Sequence, residues 1–295
     1  MFKFFKRKDM KKIIYFIEFL FVEFLFIICR LIGFRSASNL GFFIGKNFGN
    51  FFRKKKSIIE NLHKSKIVMN ISDTQFANNV LGNYGRILAE YPFLKDFRNN
   101  KLEQFIKIDG EENLEKIKNN KKPVVFISGH FSNFELMAMQ IEKHGINLAA
   151  IYRPLNNVFL NRTMEQIRTK YICRYQIRKG RSGTRQILEN LKKGNSIALM
   201  IDQRVTEGIK IDFFGNLAST TTIPAQIIKK YKCDLVPIYI ERLEKYNFKM
   251  YVSQPIAIDS EESQEDISVH LNTILEKMIL KNPDQWIWTH NRWKK

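Results

Sequence analysis

The chain is poor in cysteine. Cys29, Cys173 and Cys233 are odd in number and far apart, and they form no C-x-x-C. This excludes a disulfide framework and a cysteine zinc site. It suits a reducing compartment in which all three read as small buried apolar residues. The five histidines have no metal-ligand spacing, so neither a metal nor a cofactor is expected. Gly180-Arg181-Ser182-Gly183 lacks the Gly-Lys-Ser/Thr of a Walker A loop. The G-x-S-x-G elbow of a serine acyl-enzyme is also missing. No internal repeat and no low-complexity linker divides the chain. Acidic residues are few, 29 against 49 Lys and Arg, which leaves a formal charge of +20. Such an excess calls for an anionic partner: nucleic acid, an anionic membrane surface, a phosphorylated lipid or an acidic carrier protein. No recognised nucleic-acid motif accompanies it, so nucleic acid is not the expected partner.

Apolar residues are abundant, at 44% of 295 residues, enough for a substantial core. They concentrate first at the N-terminus. Six basic residues between Lys3 and Lys12 precede an apolar stretch at 13–32, interrupted by Glu18, Glu23, Cys29 and Arg30. Residues 1–56 carry 13 Lys/Arg against 3 Asp/Glu, half of the excess charge of the whole chain. The stretch is too long for a signal peptide, and no small-residue cleavage site follows. Its length matches the roughly 20 residues that span a bilayer. Each internal glutamate would then cost about 2.5–3.5 kcal/mol at the centre. Basic residues on both flanks give no preferred orientation. They fit a helix lying in the membrane interface with both ends cytoplasmic. Span and interfacial anchor therefore stand side by side here, with an ordinary core helix as the third reading. Residues 1–56 are expected to be a basic-flanked membrane anchor and 57–295 the catalytic domain.

Beyond residue 56, helical and strand patterns alternate. Helices are expected at 58–69, 74–91, 111–119, 134–144, 158–172, 183–193, 223–231 and 262–281. Strands are expected at 105–108, 124–128, 148–152, 196–201, 235–240 and 249–252. Gly145 and Gly194 are placed to stop helices. The alternation predicts an α/β fold: a mixed central sheet with helices on both faces, preceded by the N-terminal apolar membrane-anchoring helix.

In open α/β sheets functional groups collect beyond the carboxyl ends of strands. The apolar run 124–128 delivers Gly129-His130-Phe131-Ser132-Asn133-Phe134-Glu135 to that place. A histidine there can act as a general base near neutral pH if a carboxylate fixes its tautomer. Glu135 is the near candidate. Five residues along a regular helix turn a side chain by about 140°. The two can meet only if His130 sits in the loop and Glu135 in the first helical turn, with Ser132 or Asn133 as N-cap. The competing reading makes Ser132-x-x-Glu135 a capping box and His130 a packed loop histidine. Arg153 and Asp202-Gln203 follow two further strands and are placed to join the site. Trp286, Trp288 and Trp293 read as packing or interface aromatics, and His290 as a histidine without an acidic partner.

The order Gly-His-x4-Glu, Ile151-Tyr152-Arg153-Pro154-Leu155-Asn156-Asn157, Ile201-Asp202-Gln203, Phe213-Phe214-Gly215 and Trp288-Thr-His-Asn-Arg-Trp293 resembles the late acyltransferases of lipid A biosynthesis. The resemblance covers nearly the whole chain. The His-x4-acid element alone is shared with the broader glycerolipid acyltransferase superfamily, where Asp usually replaces Glu. The resemblance implies transfer of a fatty acyl group from acyl carrier protein to a hydroxyl on an acyl chain of an anionic lipid A precursor. The enzyme would work at inner-membrane lipid with its catalytic domain on the cytoplasmic side. It further implies His130 as the base, Glu135 orienting it, Arg153 as a site residue for a phosphate or the oxyanion, and Asp202 and Gln203 as positioning residues. Backbone N–H groups at the helix start beyond Asn133 are placed to meet the oxyanion. Two alternatives stay open: an acyltransferase using acyl-CoA on a glycerolipid or glycolipid, and a non-catalytic basic membrane-binding protein.

Overall fold

Strands that are apolar on both faces need cover on both faces, and parallel sheets provide it. A computed structural model describes residues 7–259 and 261–294 of the chain. Its N-terminal half places α1 (Arg7–Ile32), α2 (Phe34–Phe48), α3 (Lys55–Ser65), α4 (Asp73–Glu90) and α5 (Leu94–Arg98) ahead of β1 (Ile106–Asp109) and α6 (Glu111–Asn120). Then follow β2 (Val125–Ser128), α7 (Glu135–Lys143), β3 (Leu148–Tyr152), α8 (Val158–Ile167), β4 (Tyr175–Arg178), α9 (Arg181–Lys192) and β5 (Ser196–Met200). The chain closes with β6 (Ile209–Phe213), β7 (Asn216–Thr220), α10 (Ile223–Tyr231), β8 (Leu235–Arg242), β9 (Phe248–Val252) and α11 (Gln264–Lys281).

Seven strands form one mixed sheet in the order β1-β9-β8-β2-β5-β3-β4. The pairs β8/β2, β2/β5, β5/β3 and β3/β4 are parallel, β8/β9 is antiparallel, and β1 runs parallel to β9. β2 and β8, at the centre, are buried at every position. The mixed sheet and its helices match the expected class, and β3 and α10 fall where the apolar pattern put them. β4 was not anticipated. It is an edge strand with one buried residue in four, too weak an apolar signal to stand out. The β6–β7 hairpin, which pairs outside the main sheet and packs on α11 through Asn272 and the Asp212 carbonyl, was not anticipated either. The helix expected over 158–172 is α8 followed by a π-helical turn at Arg168–Ile172.

α2 packs closely along α4. A Cβ at Gly85 would lie 1.9 Å from the Gly41 carbonyl oxygen, and one at Gly41 would lie 2.4 Å from that of Gly85. Only glycine at both positions permits this approach.

The expected N-terminal membrane-anchoring helix, for which span and interfacial anchor stood side by side, is not supported as a span. No helix among the described residues is long and apolar enough to cross a membrane. The physical reason lies in α1 itself, where Glu18, Glu23 and Arg30 break the apolar stretch. α1 buries Phe26 and Cys29 against the core while Ile17, Leu20, Phe21, Phe24, Ile27 and Leu31 stay exposed. The spacing of three and four makes this a stripe along one helical face.

Candidate active site

Sheet register brings the central pair together. Ser128 of β2 lies opposite Met200 of β5, and the Ile201 amide donates to the Ser128 carbonyl at 2.9 Å. Two residues further on, the chains reach His130 and Asp202 side by side. His130 Nδ1 lies 2.8 Å from Asp202 Oδ1, and the His130 backbone N–H donates to Oδ2 at 2.7 Å. Trp286 Nε1 donates to the same Oδ2 at 3.0 Å. Asp202 is fully buried, so its two oxygens need these donors. Burial alone would raise its pKa, but the His130 charge and the hydrogen bonds outweigh it and the carboxyl sits below its ordinary value. For His130 the balance mirrors this. Burial pushes its pKa down, while the Asp202 charge and hydrogen bond overcome that and raise it. With Nδ1–H given to a carboxylate, Nε2 carries the free lone pair.

The loop holding His130 is fixed on several sides. Phe131 is fully buried with its ring 5.0 Å from that of Tyr239, and the Ser132 amide donates to the Gln285 carbonyl at 2.9 Å. Ser132 takes a left-handed φ of 44°. Asn133 Nδ2 donates to Glu90 Oε2, within a buried group that also contains Arg242, Arg86 and Ser38. The helix starts one or two residues later than capping by Asn133 or Ser132 requires. Phe134 is the N-cap residue, with no side-chain cap, and Ser132 Oγ has no partner. Neither Ser132 nor Asn133 caps α7, and the Ser132-x-x-Glu135 capping box does not form.

His130 is in the loop and Glu135 is the first residue of α7, as the spacing predicts. The hydrogen bond expected between them is not made, because each has another partner. Glu135 Oε1 accepts from Arg168 Nε at 3.0 Å, from a terminal Arg168 nitrogen at 2.7 Å and from the Tyr91 hydroxyl at 3.2 Å. Burial would lower the Arg168 pKa, but Glu135 and Tyr91 raise it and hold the guanidinium charged. Burial also drives the Tyr91 hydroxyl well above its ordinary value, so it remains a donor.

His130, Glu135 and Arg168 face one cavity of about 490 Å³, with Asp202 and Tyr91 bonded to them from outside its lining. Its polar wall includes His130, Glu135, Arg168, Gln203 and His290. Deeper in, Phe126, Ala198 and Ala150 lie in one cross-strand row of β2, β5 and β3, with Ile141 and Ile187 also on the walls. The two alanines leave room above the sheet for an apolar chain. Arg153 and Lys179 each extend one residue past a paired row, Tyr152 of β3 opposite Arg178 of β4. The Lys179 pKa is lowered by burial and by the Arg153 charge. Neither side chain has an ion-pair partner among the described residues, which leaves two cations at the rim open to an anion.

Of the residues expected from the sequence, His130, Glu135, Arg153 and Gln203 line one cavity, and Asp202 is bonded to His130 outside its lining. Sequence reasoning missed Arg168, Tyr91 and the bond from Trp286 to Asp202. The three tryptophans are buried packing residues, and one of them also serves the site. The available signal at Arg168 was a charged residue four positions from Met164 and from Ile172, on an apolar helical stripe, and the π-helical turn begins at it.

The family model for bacterial lipid A biosynthesis acyltransferases matches residues 3–295. Among curated proteins, the chain is 23% identical over 218 residues to the lipid A biosynthesis palmitoleoyltransferase of Escherichia coli (strain K12), covering 71% of this chain and 68% of the relative. It is 22% identical over 202 residues to the lipid A biosynthesis lauroyltransferase of the same organism, covering 66% and 63%. A lipid A biosynthesis acyltransferase 2 of Shigella flexneri is 23% identical over 183 residues, covering 61% and 58%.

Proposed function

Since the chain belongs to the bacterial lipid A biosynthesis acyltransferase family, we propose that it moves a fatty acyl group from acyl carrier protein to a hydroxyl on an acyl chain of a lipid A precursor, with His130 as general base and Asp202 as its orienting carboxylate. The observation that carries this reading is the 2.8 Å bond from His130 Nδ1 to the buried Asp202, made at the mouth of an apolar cavity. Nε2 takes the proton of the acceptor hydroxyl as its oxygen attacks the thioester carbonyl. Asp202 stabilises the imidazolium. When the C–S bond breaks, the departing thiolate takes the proton back, and no acyl-enzyme forms. Glu135 keeps a place in the site by holding Arg168 in the cavity wall. The acyl chain lies along Ala150 and Ala198. Arg153, with Lys179 beside it, takes an acceptor phosphate, and Gln203 orients substrate at the mouth. The Asn133, Phe134 and Glu135 amides, which have no acceptor among the described residues, contribute N–H donors at the same place.

The exposed stripe of α1, together with Phe51 and Phe52, 85% and 79% exposed, lies on the surface of an anionic membrane, with the basic residues of 10–56 at the headgroups. Asn157 links this helix to the cavity rim: its Nδ2 donates to the Tyr15 carbonyl at 2.8 Å and to Glu18 Oε2 at 3.0 Å. The acid inside the apolar stretch thus has a partner on the protein side. A helix in the interface beside the mouth gives a lipid acceptor a short route from the cytoplasmic leaflet of the inner membrane to His130.

Purified full-length protein with a lipid A precursor should form the acylated product from acyl carrier protein thioesters, and H130A should abolish it. Product with acyl-CoA alone, or with a glycerolipid acceptor in place of the lipid A precursor, would favour the alternative acyltransferase. Undiminished transfer by H130A would overturn the mechanism.

A further inference from the structure

His290 lines the same cavity as His130 and has no carboxylate hydrogen-bonded to its ring among the described residues. Its Nε2 accepts the Arg204 backbone N–H at 2.9 Å. A ring nitrogen can receive an N–H only when it bears no proton, so the proton of the neutral ring sits on Nδ1. The surroundings keep the ring neutral. Burial lowers its pKa; Asp202 opposes this, while Arg292, His130 and Lys179 add to it, and the result lies below the ordinary histidine value. Protonation would also require giving up the Arg204 bond. Nδ1 has no hydrogen-bond partner among the described residues. The end of β5 therefore sets both histidines in opposite senses. Asp202 takes the Nδ1–H of His130 and leaves a bare Nε2. Two residues later, the Arg204 amide occupies Nε2 of His290 and leaves an Nδ1–H free.

We propose that His290 is a second catalytic histidine, a neutral donor whose Nδ1–H bonds to the carbonyl oxygen of the acyl thioester as negative charge builds there. The inference rests on His130 being the base. As the hydroxyl oxygen bonds to the carbonyl carbon, its proton goes to His130 Nε2 and the carbonyl π pair moves onto oxygen, where His290 meets it. Collapse restores C=O, breaks C–S and sends the proton from His130 to the thiolate. His290 keeps its own proton throughout. A donor held before the charge appears costs no reorganisation in the transition state.

The test is steady-state kinetics on the full chain with an acyl carrier protein thioester and a lipid A precursor, comparing wild type with H290A, H290N, H290Q and H130A. Asparagine offers an amide N–H near the Nδ1 position but falls short of the Arg204 amide. Glutamine offers an oxygen to that amide but no donor at Nδ1. H290A and H290Q are expected to lose roughly 10²–10³-fold in kcat with KM little changed, while H290N recovers at least about tenfold of the loss. The acid limb of the pH profile should stay in place, because it belongs to His130. The inference is overturned if H290Q is active and H290N is not, which would mean that His290 only supports the Arg204 loop. It is also overturned if the loss lies in KM alone, or if H290A retains kcat while H130A is inactive. Transfer by H130A would instead remove the base assignment beneath it.

Discussion

Asp202 and Glu135 are buried carboxylates at one site, yet they serve different partners: Glu135 lines the cavity, and Asp202 acts on it through His130. Asp202 lies 72 residues from His130 in sequence and makes two hydrogen bonds to it. Glu135, five residues away, makes none and is taken up by Arg168 and Tyr91. Parallel pairing of β2 with β5 makes distant residues neighbours at the strand ends, while the turn into α7 rotates a near residue aside. Distance along the chain is thus a poor guide to which acid a histidine uses. Each carboxylate sits against a cationic partner, but the Asp202 partner is a titratable imidazole raised by that charge, whereas the Glu135 partner is a guanidinium held charged.

The first way to break this contrast is D202N, where the largest effect is expected. It should cut kcat by about 10²–10⁴-fold. Asp202 raises the His130 pKa, and a general base works only when unprotonated. Losing the charge should therefore move the acid limb of the kcat/KM profile to lower pH, read from rates across pH 4–9 (roughly the range in which a histidine limb can appear). An unmoved limb would mean that Asp202 is not the partner in solution.

E135Q should act differently. It leaves the Arg168 charge buried without its counter-ion, at a cost of about 3–5 kcal/mol in stability. Thermal or denaturant unfolding would measure this, and the acid limb should move to lower pH by less than in D202N, because Glu135 raises the His130 pKa through its charge alone while Asp202 adds a hydrogen bond. A limb shifted as far as in D202N would restore Glu135 as the histidine's carboxylate.

Ala198→Phe should fill the row between Phe126 and Ala150 and shift acyl preference toward shorter chains. One methylene in an apolar pocket is worth about 1–3 kcal/mol, so donors differing by two to four carbons should separate by tenfold or more in kcat/KM. Equal loss with every donor would place the chain elsewhere. The smallest effect is expected at the surface: Phe24→Ser on α1 should weaken binding to anionic vesicles severalfold, because a ring part-immersed at the interface gives up less than the about 1.5–3 kcal/mol of a fully buried one, without changing kcat in detergent. Unchanged sedimentation with vesicles would take that stripe out of the interface.

Much of the architecture was legible in the sequence because its strongest signals are local. The run 124–128, the helix-stopping glycines and the alternation of apolar periods placed most strands and helices of the sheet. His130 was legible because it ends a buried strand. Arg153 and Asp202 were legible on the same rule, as the carboxyl ends of β3 and β5. β4 was lost because an edge strand needs little apolar residue content, and the break between α8 and the π-helical turn because both halves share one helical periodicity. The Ser132-x-x-Glu135 pattern predicted a cap that the fold does not use. Asn133 is drawn to Glu90 and Ser132 is turned left-handed by the bond to Gln285, so the loop obeys its tertiary neighbours.

By itself the sequence determined a mixed α/β chain with a basic, apolar N-terminal helix and a histidine at a strand end. These follow from composition, periodicity and the rule that strand ends carry function. Only the tertiary structure decided that Asp202 serves His130, that Glu135 serves Arg168, and that Arg204 fixes the tautomer of His290. The physical reason is the sheet order. Placing β5 between β2 and β3 is settled by which faces can be buried together, a global packing choice that no local stretch of sequence encodes.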